Sequence, residues 1–442
     1  MVFQHQDTRD LDVLGIGFGP SNIALAIALE ETASTLDVRF IEAAEATSWQ
    51  PQMLLEGSDI QNNPLRDLAT PRNPQSFYSF TNYLKHQGRL FDYLNLGLSY
   101  PFRKDYALYV SWAASFFASQ VDYGTRADAI GVDREIRRWV VDTQKGRYTA
   151  RALILGHGRS CNIPSVFVRA MGPRVFHLTD YLQRIETLAP TLRRVAVVGA
   201  SQSAVEINND LLGRFPAAEI HAIHRSFAMR QKDTSPFSDH VYFPEFVDYF
   251  FSVSDVARSD LQKQLRPTNY SSADLDVLHR LYTKIYENKL DGRNTFHLHR
   301  NTTVEAVDAD ADRVRLSLRE RFLDRSTTLE IDAVVLATGF KDLGVGEHCE
   351  LYPPILADVA PGLARRGDGA LEVARDYRIA SETGLALYLN GLCESSHGLG
   401  DAGSFSLLSL RSVEILGSLS RYFADAMVDV PTPRDLRVFP TL

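Results

Sequence analysis

Two short stretches carry residue types suited to handling phosphate. In DVLGIGFGPSN the glycines Gly15, Gly17 and Gly19 alternate ahead of Pro20, Ser21 and Asn22. In RRVAVVGASQSAVE, Gly199 is followed by Ser201, Gln202 and Ser203. Glycine lets a backbone close on a pyrophosphate, and a helix starting there offers unpaired N–H groups and the positive end of its dipole. Both turns depart from the simplest GxGxxG spacing: Pro20 takes the sixth position of the first, and Ser201 replaces the second glycine of the other. A lone glycine turn is also an ordinary strand–helix connection, so the flanking elements decide.

Those elements repeat one grammar. LDVLGIG reads as a buried strand, SNIALAIALEETAS as a helix with Ser21 or Asn22 near its start, and VRFIEAAE as a strand ending at Glu42, where an acid accepts hydrogen bonds from an adenosine ribose. After the second turn, AEIHAIHRS ends at Arg225, with Arg230 and Lys232 just downstream. A cation at that strand end suits a 2′-phosphate and favours NADPH over NADH. Further strand-like runs end in LGHG (155–158) and VVLATGF (334–340). Two such units with different ribose-end chemistry indicate an α/β flavoprotein with two Rossmann-like dinucleotide-binding domains, for FAD and NADPH, and helical substrate-site insertions. The expected division is 1–165 for the first part of the FAD domain, 166–335 for the NADPH domain with a helical insertion near 245–290, and 336–442 for the return to the FAD domain and a substrate-site segment. Within the insertion, FVDYFFSVSDVARSDLQKQL and SADLDVLHRLYTKIYENKL read as amphipathic helices.

The 442 residues are 45% hydrophobic and 23% charged, with a net charge of −8 that argues against a general nucleic-acid binder. Cys161, Cys349 and Cys393 form no CxxC pair, which excludes a dithiol redox centre and a cysteine metal site. The N-terminus has acids where a secretory signal is basic, and no stretch reads as a membrane span. The expectation is a cytoplasmic enzyme acting on a small molecule, without nucleic-acid or membrane partners and with homo-oligomerisation left open.

The blocks GIGFGPSN, SWQPQMLL (48–55), IQNNPLRDLATPRNP (60–74), FYSFTNYL (77–84), GASQSAVE, DTSPFSDHVYFPEFVD (233–248), TNYSSADLDVLHRLY (268–282), ATGF (337–340) and ESSHGL…LLSLRSVEI (394–415) occur in that order. In that order they resemble the flavin-dependent N-hydroxylating monooxygenases, which oxidise the side-chain amine of L-ornithine or L-lysine. The resemblance implies an NADPH-dependent flavin N-monooxygenase in which O2 adds to reduced FAD to give a C4a-hydroperoxide attacked by the neutral amine. Such products commonly feed siderophores or specialised metabolites. It implies FAD contacts for Gly15, Gly17, Gly19, Pro20, Asn22, Glu42, Trp49, Gln50 and Gln61. NADPH contacts follow for Gly199, Ser201, Gln202, Ser203, Arg225 and Arg230, with Thr338 and Gly339 on the cofactor side. Asn269 and Gln202 are implied at the reacting centre. Substrate contacts are implied for Arg66, Asp239, Asn269 and one serine among Ser404, Ser406 and Ser409.

The departures from the family pattern gather at the substrate positions. The lysine of FLKDLAT is Arg66 here, the asparagine after SPFxN is Asp239, and the histidine of SWHPGM is Gln50. Two substrates follow. One is an α-amino acid, ornithine by default or a shorter diamino acid or aspartate, with its carboxylate on Arg66 and its α-ammonium on Asp239. The other is a simple diamine, with Asp239 on the far ammonium and Arg66 as that acid's ion-pair partner. A non-catalytic nucleotide-binding relative is a third reading. Blander roles stand beside these: Arg66 paired with Asp67 or Asp239, Gln202 as a polar helix start, Asn269 as a helix cap, and His397 as either a packing or a site-lining residue.

Overall fold

The computed structural model describes residues 9–428. Two sheets organise it, the first mixed and the second parallel. The first has eight strands, and its continuous path runs Arg378–Ile379, Ala386–Leu389, Gly146–Leu155, Arg9–Ile16, Val38–Ile41, Val121–Asp122. The strand Arg9–Ile16 is parallel to both neighbours, pairing Val13 with Val38 on one side and with Ala152 on the other. The next strand in the chain, Val38–Ile41, and the later Gly146–Leu155 thus lie on opposite sides of it, with a crevice at their carboxyl ends where α/β sheets bind ligands. The second sheet is wholly parallel, in the order Phe296–His299, Glu219–Ile223, Arg194–Val198, Ala333–Leu336, Val175–His177.

Composition explains the layers. The central strands are runs of Val, Ile, Leu and Ala buried on both faces, as parallel strands require. Helices Gln202–Arg214 and Leu275–Leu290 cover one face of the second sheet. A three-stranded antiparallel meander, Thr302–Ala309, Val314–Glu320 and Arg325–Ile331, covers the other, packing Val314, Leu316 and Leu318 on Ala196 and Val334.

The first glycine turn shows why Pro20 is tolerated. Gly17 has φ +83°, and a Cβ there would lie 2.7 Å from the Gly156 carbonyl oxygen. The helix Pro20–Glu31 then starts with Gly19 as N-cap and Pro20 at its first position, where a missing N–H costs no hydrogen bond. The start lies ahead of the expected Ser21 or Asn22. The helical insertion also differs from expectation. FVDYFFSVSDVARSDLQKQL forms two helices, Pro244–Ser252 and Asp255–Leu265, because Ser254 turns extended and its hydroxyl accepts from the Ala257 N–H at 3.3 Å. Asn269 does not cap the next helix; that position belongs to Asp274.

A buried ion pair joins helices of the two sheet systems. Arg103, on helix Arg103–Ser115, donates two 2.8 Å hydrogen bonds to Glu206 on helix Gln202–Arg214, with both side chains more than nine-tenths buried. The guanidinium also donates to the Met53 and Asp59 carbonyls at 3.0 and 3.1 Å. Removing one partner strands the other charge in the interior. R103A should lower unfolding stability by about 3–5 kcal/mol in urea titrations followed by tryptophan fluorescence. An R103M/E206L pair should recover most of that loss.

Candidate active site

A cavity of about 2160 Å³ lies between the sheets, and both glycine turns open onto it. No atom lies within 4 Å of where a Cβ of Gly19 would sit, so that backbone faces open space. Neither helix that starts at a turn has its first N–H groups capped by a side chain. Two uncapped helix starts facing one cavity fit anionic groups at both. Gly199, at φ +146°, lets the second turn pass the Ala337 carbonyl, which would lie 2.4 Å from a Cβ.

The expected cofactor residues divide between lining and supporting the cavity. Pro20, Trp49, Gln50, Gln61, Ser201, Ser203, Thr338 and Gly339 line it. Glu42 also lines it, and its carboxylate accepts from the N–H groups of Phe18 and Ala44 at 2.7 and 2.9 Å, which holds the acid beside the turn. Arg225 and Arg230 stand exposed at the rim, without a carboxylate partner among the described residues. Asn22 is different. Fully buried and outside the lining, it donates to the Gly17 carbonyl at 2.7 Å and accepts from Asn390, so it locks the turn from behind. Gln202 reaches the lining, but its amide is spent. It donates to Glu206 at 2.9 Å and accepts from the Asp274 N–H at 2.8 Å, making it a positioning residue rather than one free for the reacting centre.

On the substrate side, Arg66 and Asp239 both line the cavity, half-buried, and no ion pair joins them. Asp67 is no partner for Arg66 either. Its buried carboxylate takes the N–H groups of Ala69, Thr70 and Phe80, which folds the loop that carries Arg66. The Arg66 guanidinium lies 5.8 Å from the Tyr242 ring centre and 3.5 Å from the Ser406 hydroxyl. Ser404 lines the cavity and contacts Ser406 at 2.9 Å; Ser406 is buried and donates to Asn62; Ser409 is buried away from it. Ser404 thus faces the ligand space and Ser406 steadies Arg66. Asn269 lines the cavity with its Nδ2 donating to the Leu399 carbonyl at 3.1 Å, and its Oδ1 has no donor among the described residues. His397 is a packing residue, stacked on Tyr377 at 4.1 Å and bonded to Ser396 and the Arg375 carbonyl.

Beside Asn269 lies a group of buried charges. Glu394, 2% exposed, accepts from the Tyr270 hydroxyl at 2.5 Å and the Gly403 N–H at 2.8 Å, with Arg159 at 3.4 Å. Arg159 also donates to Tyr270 and Asp342. Burial pushes the Glu394 carboxyl up to about 7, against the pull of Arg159. Nearby, burial raises the Asp274 carboxyl to about 6, with Lys232 pulling the other way.

Residues 9–342 match the family model for L-lysine 6-monooxygenase/L-ornithine 5-monooxygenase. The chain belongs to this family. It is 37% identical over 409 residues to an L-ornithine N(5)-monooxygenase from Burkholderia cepacia, covering 88% of this chain and 89% of that one. Among solved structures, an ornithine hydroxylase from Pseudomonas aeruginosa superposes with a TM-score of 0.85 at 34% identity, over 94% of this chain and 100% of that chain. An ornithine N-hydroxylase from Kutzneria sp. 744, with reduced FAD, NADP+ and L-ornithine, superposes at 0.86 with 32% identity, over 93% and 99%. No helix among the described residues is long and apolar enough to cross a membrane.

For this lysine/ornithine monooxygenase chain, sequence reasoning passed over Arg103, Arg159, Glu206 and Glu394. For Glu394 the one signal was a lone acid inside an otherwise apolar or small-residue stretch, YLNGLCESSHGL. The raised Glu394 carboxyl has a stability consequence. The unfolded carboxyl loses its proton near ~4.3, the native one near about 7. Between those values the native state holds more protons, so this group lowers stability as pH rises through the window. Melting temperatures measured across that range should fall less steeply in E394Q than in the parent.

Proposed function

We propose that the chain N-hydroxylates the side-chain amine of L-ornithine, using FAD, NADPH and O2. The observation carrying this reading is that Arg66 and Asp239 line one cavity and neither neutralises the other. A half-buried guanidinium without a carboxylate is costly alone and is satisfied by an incoming one, gripped in two-point geometry. An α-amino acid supplies both complements: its carboxylate meets Arg66, and its α-ammonium meets Asp239. A diamine would leave Arg66 unanswered.

Bound FAD, reduced by NADPH, supplies the activated oxygen. The turn Gly15–Gly19 and Glu42 would hold FAD by its pyrophosphate and ribose, with Trp49, Gln50 and Gln61 along its approach. Gly199–Ser203, Arg225 and Arg230 would hold NADPH, the two arginines meeting the 2′-phosphate. Thr338 and Gly339 follow the strand that crosses between the two sites. An alkylamine keeps its proton to ~10.4 in water, so the site must favour the neutral form. Withdrawal from water does this, and the unpartnered Asn269 Oδ1 accepts one amine N–H while orienting the nitrogen lone pair. Tyr242 and Tyr100 beside Arg66 and Asp239 keep water from the anchored end. A cytoplasmic setting, where Cys161, Cys349 and Cys393 stay reduced, fits this reading.

The test compares ornithine, lysine, shorter diamino acids, aspartate and simple diamines, scoring hydroxylamine separately from peroxide. Ornithine should give product and diamines should not. R66A should raise the ornithine KM by roughly 10–100-fold, the loss of one charge-assisted pair, with a smaller change in kcat. Turnover of diamines undiminished by R66A would overturn the assignment. R225A should raise the NADPH KM roughly tenfold or more and leave NADH turnover nearly unchanged, as expected for a cation that meets only the 2′-phosphate.

A further inference from the structure

Away from the cavity, the outer edge of the second sheet gathers histidines. Parallel pairing sets His297 on the edge strand beside His221, and the alternation of side chains along strands puts Glu219, His221, His297 and His299 on one face. The His221 and His297 rings stack at 4.7 Å. His221 Nδ1 lies 3.0 Å from His299 Nε2, a hydrogen bond between the two rings. Its other nitrogen, Nε2, is buried without a hydrogen-bond partner on a residue only 7% exposed, and points to the Glu219 carboxylate 3.8 Å away. Donor atoms of Glu219, His221 and His297 all lie within 4.8 Å of one another.

We propose that Glu219, His221 and His297 form a binding site for a divalent transition-metal ion, with His299 setting the tautomer of His221. Two imidazoles and a carboxylate suit zinc and its neighbours and are a poor set for magnesium or calcium. The His299 contact is the second shell such sites use: with Nδ1 donating to His299, the His221 lone pair sits on Nε2, facing the site. Bonds of ~2.0–2.2 Å would draw tetrahedral donors to about 3.4 Å apart. The half-buried His297 ring and the half-exposed Glu219 have room to make that adjustment. Arg194 is the competing group, 3.8 Å from the same Glu219 oxygen, a distance too long for a hydrogen bond. Remaining coordination positions face solvent at the sheet edge and take water. None of the three ligands lines the active-site cavity, so the ion acts as a clip. It ties the edge strand Phe296–His299 to Glu219–Ile223, the strand that delivers Arg225 to the NADPH turn.

The test is calorimetric titration of Zn2+ into tag-free, flavin-loaded protein freed of metal with a chelator. One equivalent per chain is expected to bind. H297A and E219Q should each weaken binding by roughly tenfold or more, while H279A, which removes an exposed histidine elsewhere, should leave it unchanged. Both ligand variants alter side chains at the sheet edge, and unchanged NADPH oxidation without zinc shows that they fold. Absence of one-site binding, or affinity unaffected by both H297A and E219Q, would overturn the proposal.

Discussion

The arrangement of this chain hangs on a guanidinium and a carboxylate that have left water together. Arg103 and Glu206 come from helices serving different sheets, and neither charge is tolerable in the interior without the other. Their pairing fixes more than itself. Glu206 Oε1 also accepts from Gln202 at 2.9 Å and from Gln61 at 3.5 Å, one residue at the second glycine turn and the other on the opposite wall of the cavity. Gln202 in turn holds the backbone around Ser272 and Asp274. The segment carrying Asn269 is thereby set relative to both nucleotide turns. This desolvated pair thus ties the two sheets together across one cavity.

The charges around that cavity fall into two kinds. Arg159, Glu394 and Asp342 answer one another, and with Tyr270 and Gly403 they bind the Asn269 segment to the loop carrying Ser404. Among the described residues no carboxylate pairs with Arg66, Arg225 or Arg230, and no cation pairs with Asp239. Charges that satisfy each other build the frame. In the proposed function, the charges left without an opposite charge are the ones that receive ligand: a carboxylate and an ammonium at one end, a phosphate at the other. Exchanging the family's lysine for Arg66 keeps the sign and changes the geometry from a point charge to a planar fork. Exchanging asparagine for Asp239 adds a counter-charge, and the two departures together suit a zwitterion.

Much of this was legible from the chain. Both strand–glycine–helix units follow from residue type and local order; Glu42 and Arg225 at their strand ends, and Arg66 and Asp239, which the family resemblance singled out, all line the cavity. What local order did not carry was which partner each polar group chooses across the fold. Asn22 and Gln202 sit in cofactor motifs, yet their amides serve the backbone behind the turn and the Glu206 network. The clamp residues Arg103 and Glu206 lie 103 positions apart, so no spacing rule connects them. The serine facing the cavity was also hidden, because Ser404 and Ser406 differ only in which way the loop turns. The split of the 245–265 helix rested on one capping hydroxyl, Ser254, inside an otherwise continuous amphipathic run.

The central claim is that two phosphate cradles and an unpaired Arg66–Asp239 couple act on one shared cavity. A crystal structure of the protein with FAD, NADP+ and L-ornithine tests it most directly. The account predicts one pyrophosphate at Gly17–Gly19 and the other at Gly199–Ser203, with the amino-acid carboxylate on Arg66 and its α-ammonium on Asp239. An ornithine bound with its carboxylate away from Arg66, or an Arg66–Asp239 ion pair persisting in the complex, would contradict it.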